Sequence, residues 1–252
     1  MERKKIKWIL PLVVVAAMVY LIGLISVHIG QRGRIFLPTR GVIENSSLES
    51  WKHEDKEIGF KREVEGAKRI WFMMHGNAGQ AAHRSDVLPH LPEGDSFFVL
   101  EYPGYGIRPG MPTKESLNAA AEEAYQVLLK SHPDVEIVLI GESIGSGPAC
   151  HLATTDHAPD RIVLFTPFDT MINLASPHAG WFPAGLIIKD DWDNVTALEG
   201  YKGQLEIYGA VKDQTIPMKL AKALADSVSG AKLIELDCDH NDWPKMEEVE
   251  LK

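Results

Sequence analysis

The 252-residue chain holds only two cysteines, and its 26 Lys and Arg are outnumbered by 35 Asp and Glu. So few cysteines exclude a disulfide-built scaffold and a Cys-rich zinc module. A net charge of −9 argues against a nucleic-acid partner. No G-x-x-x-x-G-K-[ST] stretch occurs, which removes P-loop nucleotide chemistry, and no H-E-x-x-H pair occurs. Gly104-Tyr105-Gly106-Ile107-Arg108-Pro109 breaks the dinucleotide fingerprint at its third glycine. Asp190-Asp191-Trp192-Asp193-Asn194 lacks the alternation and the glycine of a calcium loop. No cofactor and no metal are expected.

Charge is also missing from one long stretch. Residues 8–29 read WILPLVVVAAMVYLIGLISVHI, with no Asp, Glu, Lys or Arg and one ionisable group, His28. About 20 apolar residues cross a bilayer core as a helix. Pro11 is expected in the first turn, where its missing N–H costs little. Trp8 falls at an interface level. A cleaved signal peptide has a shorter apolar region, about 7–15 residues, and a small-x-small site that is absent here. Residues 8–29 therefore read as an uncleaved single-pass anchor. Arg3, Lys4, Lys5 and Lys7 precede it, while Arg32, Arg34 and Arg40 follow. That bias leans toward a cytoplasmic N-terminus and an exported body. Asn45-Ser46-Ser47 and Asn194-Val195-Thr196 match the glycosylation triplet, a pattern common by chance.

Residues 1–40 hold seven Lys and Arg and one acid, which leaves 19 against 34 in the remainder, a net of −15. A basic head thus precedes a strongly acidic body. Three parts are expected: a basic flank and anchor (1–30), a tether with a lead-in strand or loop (31–56), and one globular domain (57–252). Within the body, apolar runs at 69–74, 96–102, 135–140, 161–165, 204–208 and 231–236 suit strands covered on both faces. Helical stripes fall between them at 114–130, 146–153 and 217–228, the first with Thr113 as N-cap. The alternation predicts an α/β domain with a mainly parallel twisted sheet and helices on both faces.

The run 135–140 leads directly into Gly141-Glu142-Ser143-Ile144-Gly145, a G-x-S-x-G motif, and a small-residue helix follows. Strand, tight turn and helix are the setting of a nucleophile elbow. Ser143 must adopt a strained backbone there, and Gly141 and Gly145 relieve the crowding around it. At the start of a helix, Ser143 also meets a dipole that favours developing negative charge.

With His75-Gly76-Asn77-Ala78-Gly79, Tyr102-Pro103-Gly104-Tyr105-Gly106, the elbow and Asp239-His240-Asn241-Asp242 in this order, the chain resembles the α/β-hydrolase fold family. Its compact membrane-anchored serine hydrolases are the closest in kind. The resemblance covers about residues 60–245 and does not specify a substrate. It implies Ser143 as nucleophile, His240 as base and Asp213 as acid, in the chain order of this fold. The backbone N–H groups of Asn77 and Ile144 are implied as the oxyanion hole, with His75 and Gly76 supporting their loop. Asp213 follows Gly209 one residue later than the family pattern, so Asp190, Asp191 and Asp193 stay open as the acid. His83 could line the site, and Asp242 is expected as a local partner near His240.

Between residues 165 and 204 there is room for one or two short helices and a minimal lid. The apolar stretch 181–188 either lines an acyl pocket or packs on the sheet. Cys150 and Cys238 are expected as two separate core cysteines. The expected activity is hydrolysis of carboxylic esters, including acyl lipids or thioesters, through an acyl-enzyme. The partners are then a small-molecule or lipid ester and the membrane, with the oligomeric state open. A peptidase or amidase with the same triad, or a non-catalytic tethered binding protein on this fold, are the alternatives.

Overall fold

Among the described residues the strands form one eight-stranded sheet, and helices pack against it. The computed structural model describes residues 2–43, 46–180 and 182–252, with side chains from residue 10 onward. The ring of Trp8, Asn45 of the first triplet and Trp181 of the apolar stretch lie outside the described residues. In chain order the elements are α1 (Glu2–Gly30), α2 (Arg32–Ile35), β1 (Glu49–His53), β2 (Lys56–Arg62), β3 (Arg69–Met74), a 3₁₀-helix (Ala81–His90), β4 (Ser96–Leu100) and α3 (Lys114–Ser131). Then come β5 (Glu136–Glu142), a 3₁₀ turn (Ser143–Gly145), α4 (Ser146–Leu152), β6 (Arg161–Phe165), α5 (Met171–Ala175), a 3₁₀ turn (Ser176–His178), α6 (Ala184–Ile187) and α7 (Asn194–Ala197). The chain finishes with β7 (Gln204–Ala210), α8 (Met218–Ser227), β8 (Lys232–Leu236) and a 3₁₀ turn (Trp243–Lys245).

The strands lie in the order β1-β2-β4-β3-β5-β6-β7-β8. β4 through β8 run parallel, while β1 and β2 add an antiparallel edge. The chain steps outward from β3 to β4 and returns to place β5 on the other side of β3. Open α/β sheets bind their ligands at such a reversal, outside the carboxyl ends of the strands.

The consecutive apolar residues of β3 have a simple cause, since both of its faces are covered. Ile70, Phe72 and Met74 pack into one cluster with Leu117 and Ala121 of α3, Cys150 of α4 and Leu224 of α8. Trp71 and Met73 point the other way, into a second cluster with Val87, Trp243 and Leu251. The second face is covered by the 3₁₀-helix Ala81–His90 and the chain after β8, so helical segments lie on both faces of the sheet. Cys150 and Cys238 are both free and buried, in clusters on opposite faces. Thr113 caps α3 through a reciprocal pair with Ser116, at 3.0 and 2.9 Å.

Among the described residues, one helix near the N-terminus is long and apolar enough to cross a membrane. It is Leu10–Gly30, with a mean hydropathy of 2.6. The helix already begins at Glu2, so Pro11 lies inside it and not in its first turn; the basic flank continues the helix.

Candidate active site

β5 carries Ser143 to the carboxyl end of the sheet and turns sharply. Ser143 has φ +54°, a left-handed conformation costing about 1–3 kcal/mol for a non-glycine residue. The two flanking glycines are required for space. Gly145 has an ordinary φ of −64°, yet a Cβ there would stand 2.0 Å from the Met74 carbonyl oxygen. At Gly141 a Cβ would meet Ala149 at 2.8 Å and Leu164 at 2.9 Å. The turn is braced from behind, with Ser146 Oγ donating to the Ser143 carbonyl at 2.7 Å. Asn194 Nδ2 in turn donates to Ser146 Oγ at 3.2 Å.

Ser143, His240 and Asp213 meet. His240 Nε2 lies 2.9 Å from Ser143 Oγ, and its Nδ1 lies 2.5 Å from Asp213 Oδ2. The other oxygen of Asp213 accepts the N–H groups of Thr215 at 2.7 Å and Ile216 at 2.8 Å. That buried carboxylate is therefore fixed by its own loop before it orients the imidazole. The extra residue between Gly209 and Asp213 is absorbed by extending β7. Val211 N–H still bonds the Leu236 carbonyl at 2.9 Å, and Lys212 N–H bonds that of Cys238 at 3.1 Å. The other acids are engaged elsewhere. Asp190 accepts Arg32 and the Lys114 N–H, Asp191 pairs with Lys114, Asp193 caps α7, and Asp242 pairs with Lys245.

The loop after β3 is held by its own buried histidine. His75 Nδ1 donates to the Gly76 carbonyl at 2.7 Å, and its ring packs 4.4 Å from that of Tyr102. Tyr102 Oη closes the arrangement by donating to the His75 carbonyl at 2.7 Å. Burial pushes the Tyr102 hydroxyl well above its usual pKa. Asn77, one residue on, ties the loop to the segment after α2. Its Oδ1 accepts the Leu37 N–H and the Tyr105 hydroxyl, both at 2.9 Å. Gly76, Asn77, Ile144, Ser143 and His240 all line one pocket. His83 caps the 3₁₀-helix by accepting the Gln80 N–H at 3.1 Å.

One residue of this centre was not singled out from the sequence. Glu142, immediately before the nucleophile, is fully buried. It accepts the Gly76 N–H at 2.8 Å and the Trp243 indole N–H at 3.2 Å, and it faces Arg84 at 3.5 Å. One carboxylate thus joins the elbow, the loop after β3, and the turn after His240. Burial opposes its ionisation, but Arg84 and the two N–H donors outweigh it and hold the carboxyl below its usual pKa. The clue was an acid directly after the apolar run Ile137–Ile140 and Gly141. Among the described residues, no group of three or more His, Cys, Asp or Glu side chains gathers in a metal-ligating arrangement.

The pocket beside Ser143 encloses about 720 Å³, within the range of ligand sites, roughly 300–1,000 Å³. Its far wall combines the end of α1 with α5 and α6. His178, which the sequence had not placed at the site, also lines it.

No protein-family model matches the chain. It is 25% identical over 254 residues to the uncharacterized protein Rv2307c of Mycobacterium tuberculosis, spanning 92% of this chain and 88% of that protein. It is also 25% identical over 175 residues to the alpha/beta hydrolase domain-containing protein WAV2 of Arabidopsis thaliana, covering 59% and 56%. Among solved structures, the Pyrococcus furiosus esterase Pf2001 superposes with a TM-score of 0.62 at 15% identity, over 83% of this chain and 92% of that one. TT1662 from Thermus thermophilus gives a TM-score of 0.57 at 17% identity, over 80% and 93%. The chain has the α/β-hydrolase fold.

Proposed function

We propose that the protein is a membrane-anchored serine hydrolase that cleaves carboxylic esters. The observation that carries this reading is His240 placed between Ser143 Oγ and the Asp213 carboxylate, at 2.9 and 2.5 Å. Ser143 Oγ attacks the acyl carbonyl while His240 Nε2 takes its proton. The carbonyl oxygen becomes an anion facing the N–H groups of Asn77 and Ile144. The ester C–O bond then breaks, and the proton on His240 passes to the departing alkoxide, which leaves as an alcohol. Water attacks the acyl-enzyme with His240 again as base, releasing a carboxylic acid and restoring the Ser143 hydroxyl. Asp213 holds the imidazole tautomer and offsets its positive charge throughout.

Residues 57–252, with β1, form the catalytic domain in this reading. Residues 8–29 span the bilayer once, with the N-terminus cytoplasmic and the body exported, following the basic flank. The apolar pocket wall favours acyl esters over peptides. The full chain in detergent should react with a fluorophosphonate at Ser143, and Ser143→Ala should abolish both labelling and ester turnover. Faster cleavage of aminoacyl amides than of acyl esters would move the assignment to an amidase. Labelling unchanged in Ser143→Ala would remove the assignment altogether.

A further inference from the structure

The wall of the pocket opposite Ser143 is assembled from parts distant in sequence. Val27 comes from the end of α1, Gln31 from the residue that joins it to α2 and Ile35 from α2, while Met171, Leu174 and Ile187 come from the segment between β6 and β7. These parts are fastened together. The Ile187 carbonyl accepts His28 Nδ1 at 2.9 Å and Gln31 Nε2 at 2.7 Å. Gln31 Oε1 accepts the Lys189 N–H at 2.7 Å. Arg32 forks onto the buried Asp190 at 2.9 and 3.2 Å. Farther along α1, Phe182 lies 5.2 Å from the ring of Tyr20 and closes on Gly23, where a Cβ would stand 2.9 Å from it.

A flexible tether would need none of these contacts. Here the apolar helix is a wall of the pocket, and the segment that completes this wall leans back along the helix. At about 1.5 Å per residue, Gly23 stands about 10 Å before the helix end at Gly30. With α1 across a bilayer, Phe182 reaches the acyl-chain level, close to the depth of about 5–10 Å at which apolar surface elements settle. Leu186 of α6 stands 81% exposed beside it, a side chain suited to lipid and not to water.

Resting on the reading that Ser143 is the nucleophile of an ester hydrolase and that α1 spans a bilayer, we propose a substrate class. It is a bilayer-resident long-chain acyl ester, drawn from the membrane along α1, with the helix forming part of the acyl-binding wall. The headgroup stays at the mouth, the ester carbonyl meets Ser143, and the chain lies against Val27, Leu174 and Ile187. The anchor is then part of the specificity site.

The test uses the full chain in phosphatidylcholine vesicles. In an ester series from acetyl to palmitoyl, each methylene that passes from water through the bilayer to the pocket should raise kcat/KM, referred to total ester, by about fourfold at most. Leu174→Trp and, independently, Ala175→Trp should move the optimum to shorter chains and lower the ratio of long- to short-chain turnover. An alkyl fluorophosphonate with a terminal diazirine, captured on Ser143 and then irradiated, should crosslink near Val27 and Ile187. This crosslink reads the wild-type chain and survives any failure of the variants to fold. A Ser143 that labels and cleaves acetyl esters, but shows a flat chain-length profile, overturns the inference and leaves the hydrolase reading standing. So do crosslinks confined to Thr215 and Ile216. A Ser143 that neither labels nor turns over any ester removes the hydrolase reading itself.

Discussion

The two walls of the pocket are built on different principles. The sheet-side wall holds Ser143, His240 and Gly76 on loops at the ends of strands, where glycines leave no room for a methyl group. Buried carboxylates are its fasteners, Asp213 for the imidazole and Glu142 for the loop after β3. The opposite wall consists of two very short helices and the end of α1, joined by a few hydrogen bonds to the Ile187 carbonyl and Gln31. Chemistry that fails when atoms are misplaced by an ångström needs the first kind of wall. Recognition of an apolar chain is non-directional and tolerates the second. In the proposed function, one wall sets what reaction is possible and the other sets what fits.

This contrast can be broken in order of expected effect. Gly145→Ala drives a methyl group into the Met74 carbonyl and should cost about 3 kcal/mol or more, read as a lower midpoint in urea. Glu142→Gln leaves Arg84 facing a neutral partner and should cost about 2–4 kcal/mol at neutral pH. Its pH dependence carries a sign. The folded Glu142 carboxyl lies below its usual value, so its stabilisation is complete above the ordinary glutamate pKa of about 4.3. That stabilisation is lost as pH falls through the depressed folded value. Glu142→Gln should therefore be less stable at neutral pH and flatter on the acid limb, as measured by thermal melts across pH. Arg32→Ala acts only on the other wall. Its side chain is 36% exposed, but its partner Asp190 is buried and would keep only the Lys114 N–H, so the stability loss should be about 1–3 kcal/mol. It should lower the long- to short-chain ratio more than it lowers acetyl-ester turnover. An equal fall in both would mean that the two walls are not independent.

What could be read from the sequence follows the same division. Ser143 was legible as a candidate because its strand–turn–helix segment answers a local geometric need, whereas His240 and Asp213 were candidates only through the family resemblance; the structure brings the three side chains together. Glu142 was hidden in that very motif as a variable position; its role depends on Gly76, Arg84 and Trp243, which are remote in sequence. β2 was not recognised as a strand, and β1 fell within a lead-in segment open to either strand or loop, because both lie at the sheet edge. β1 buries Trp51 alone, so β1 reads as polar chain. The cover of the second face escaped notice for a related reason. A 3₁₀-helix containing Pro89 carries no 3.6-residue stripe. The length and apolarity of α1 were plain, but its place in the pocket wall was not. That place depends on Gln31, an unremarkable residue until the Ile187 carbonyl and the Lys189 N–H are set beside it.

The fork of Arg32 on Asp190 holds the globular body at one attitude to α1. Under the proposed function, with that helix in a bilayer, the body would not tumble as on a string, and the mouth of the pocket would meet the same lipid leaflet at every turnover. The search for substrate then runs in two dimensions. Turnover would follow the mole fraction of ester in the surface and not its concentration in the surrounding water, so inert lipid would slow the enzyme by dilution alone.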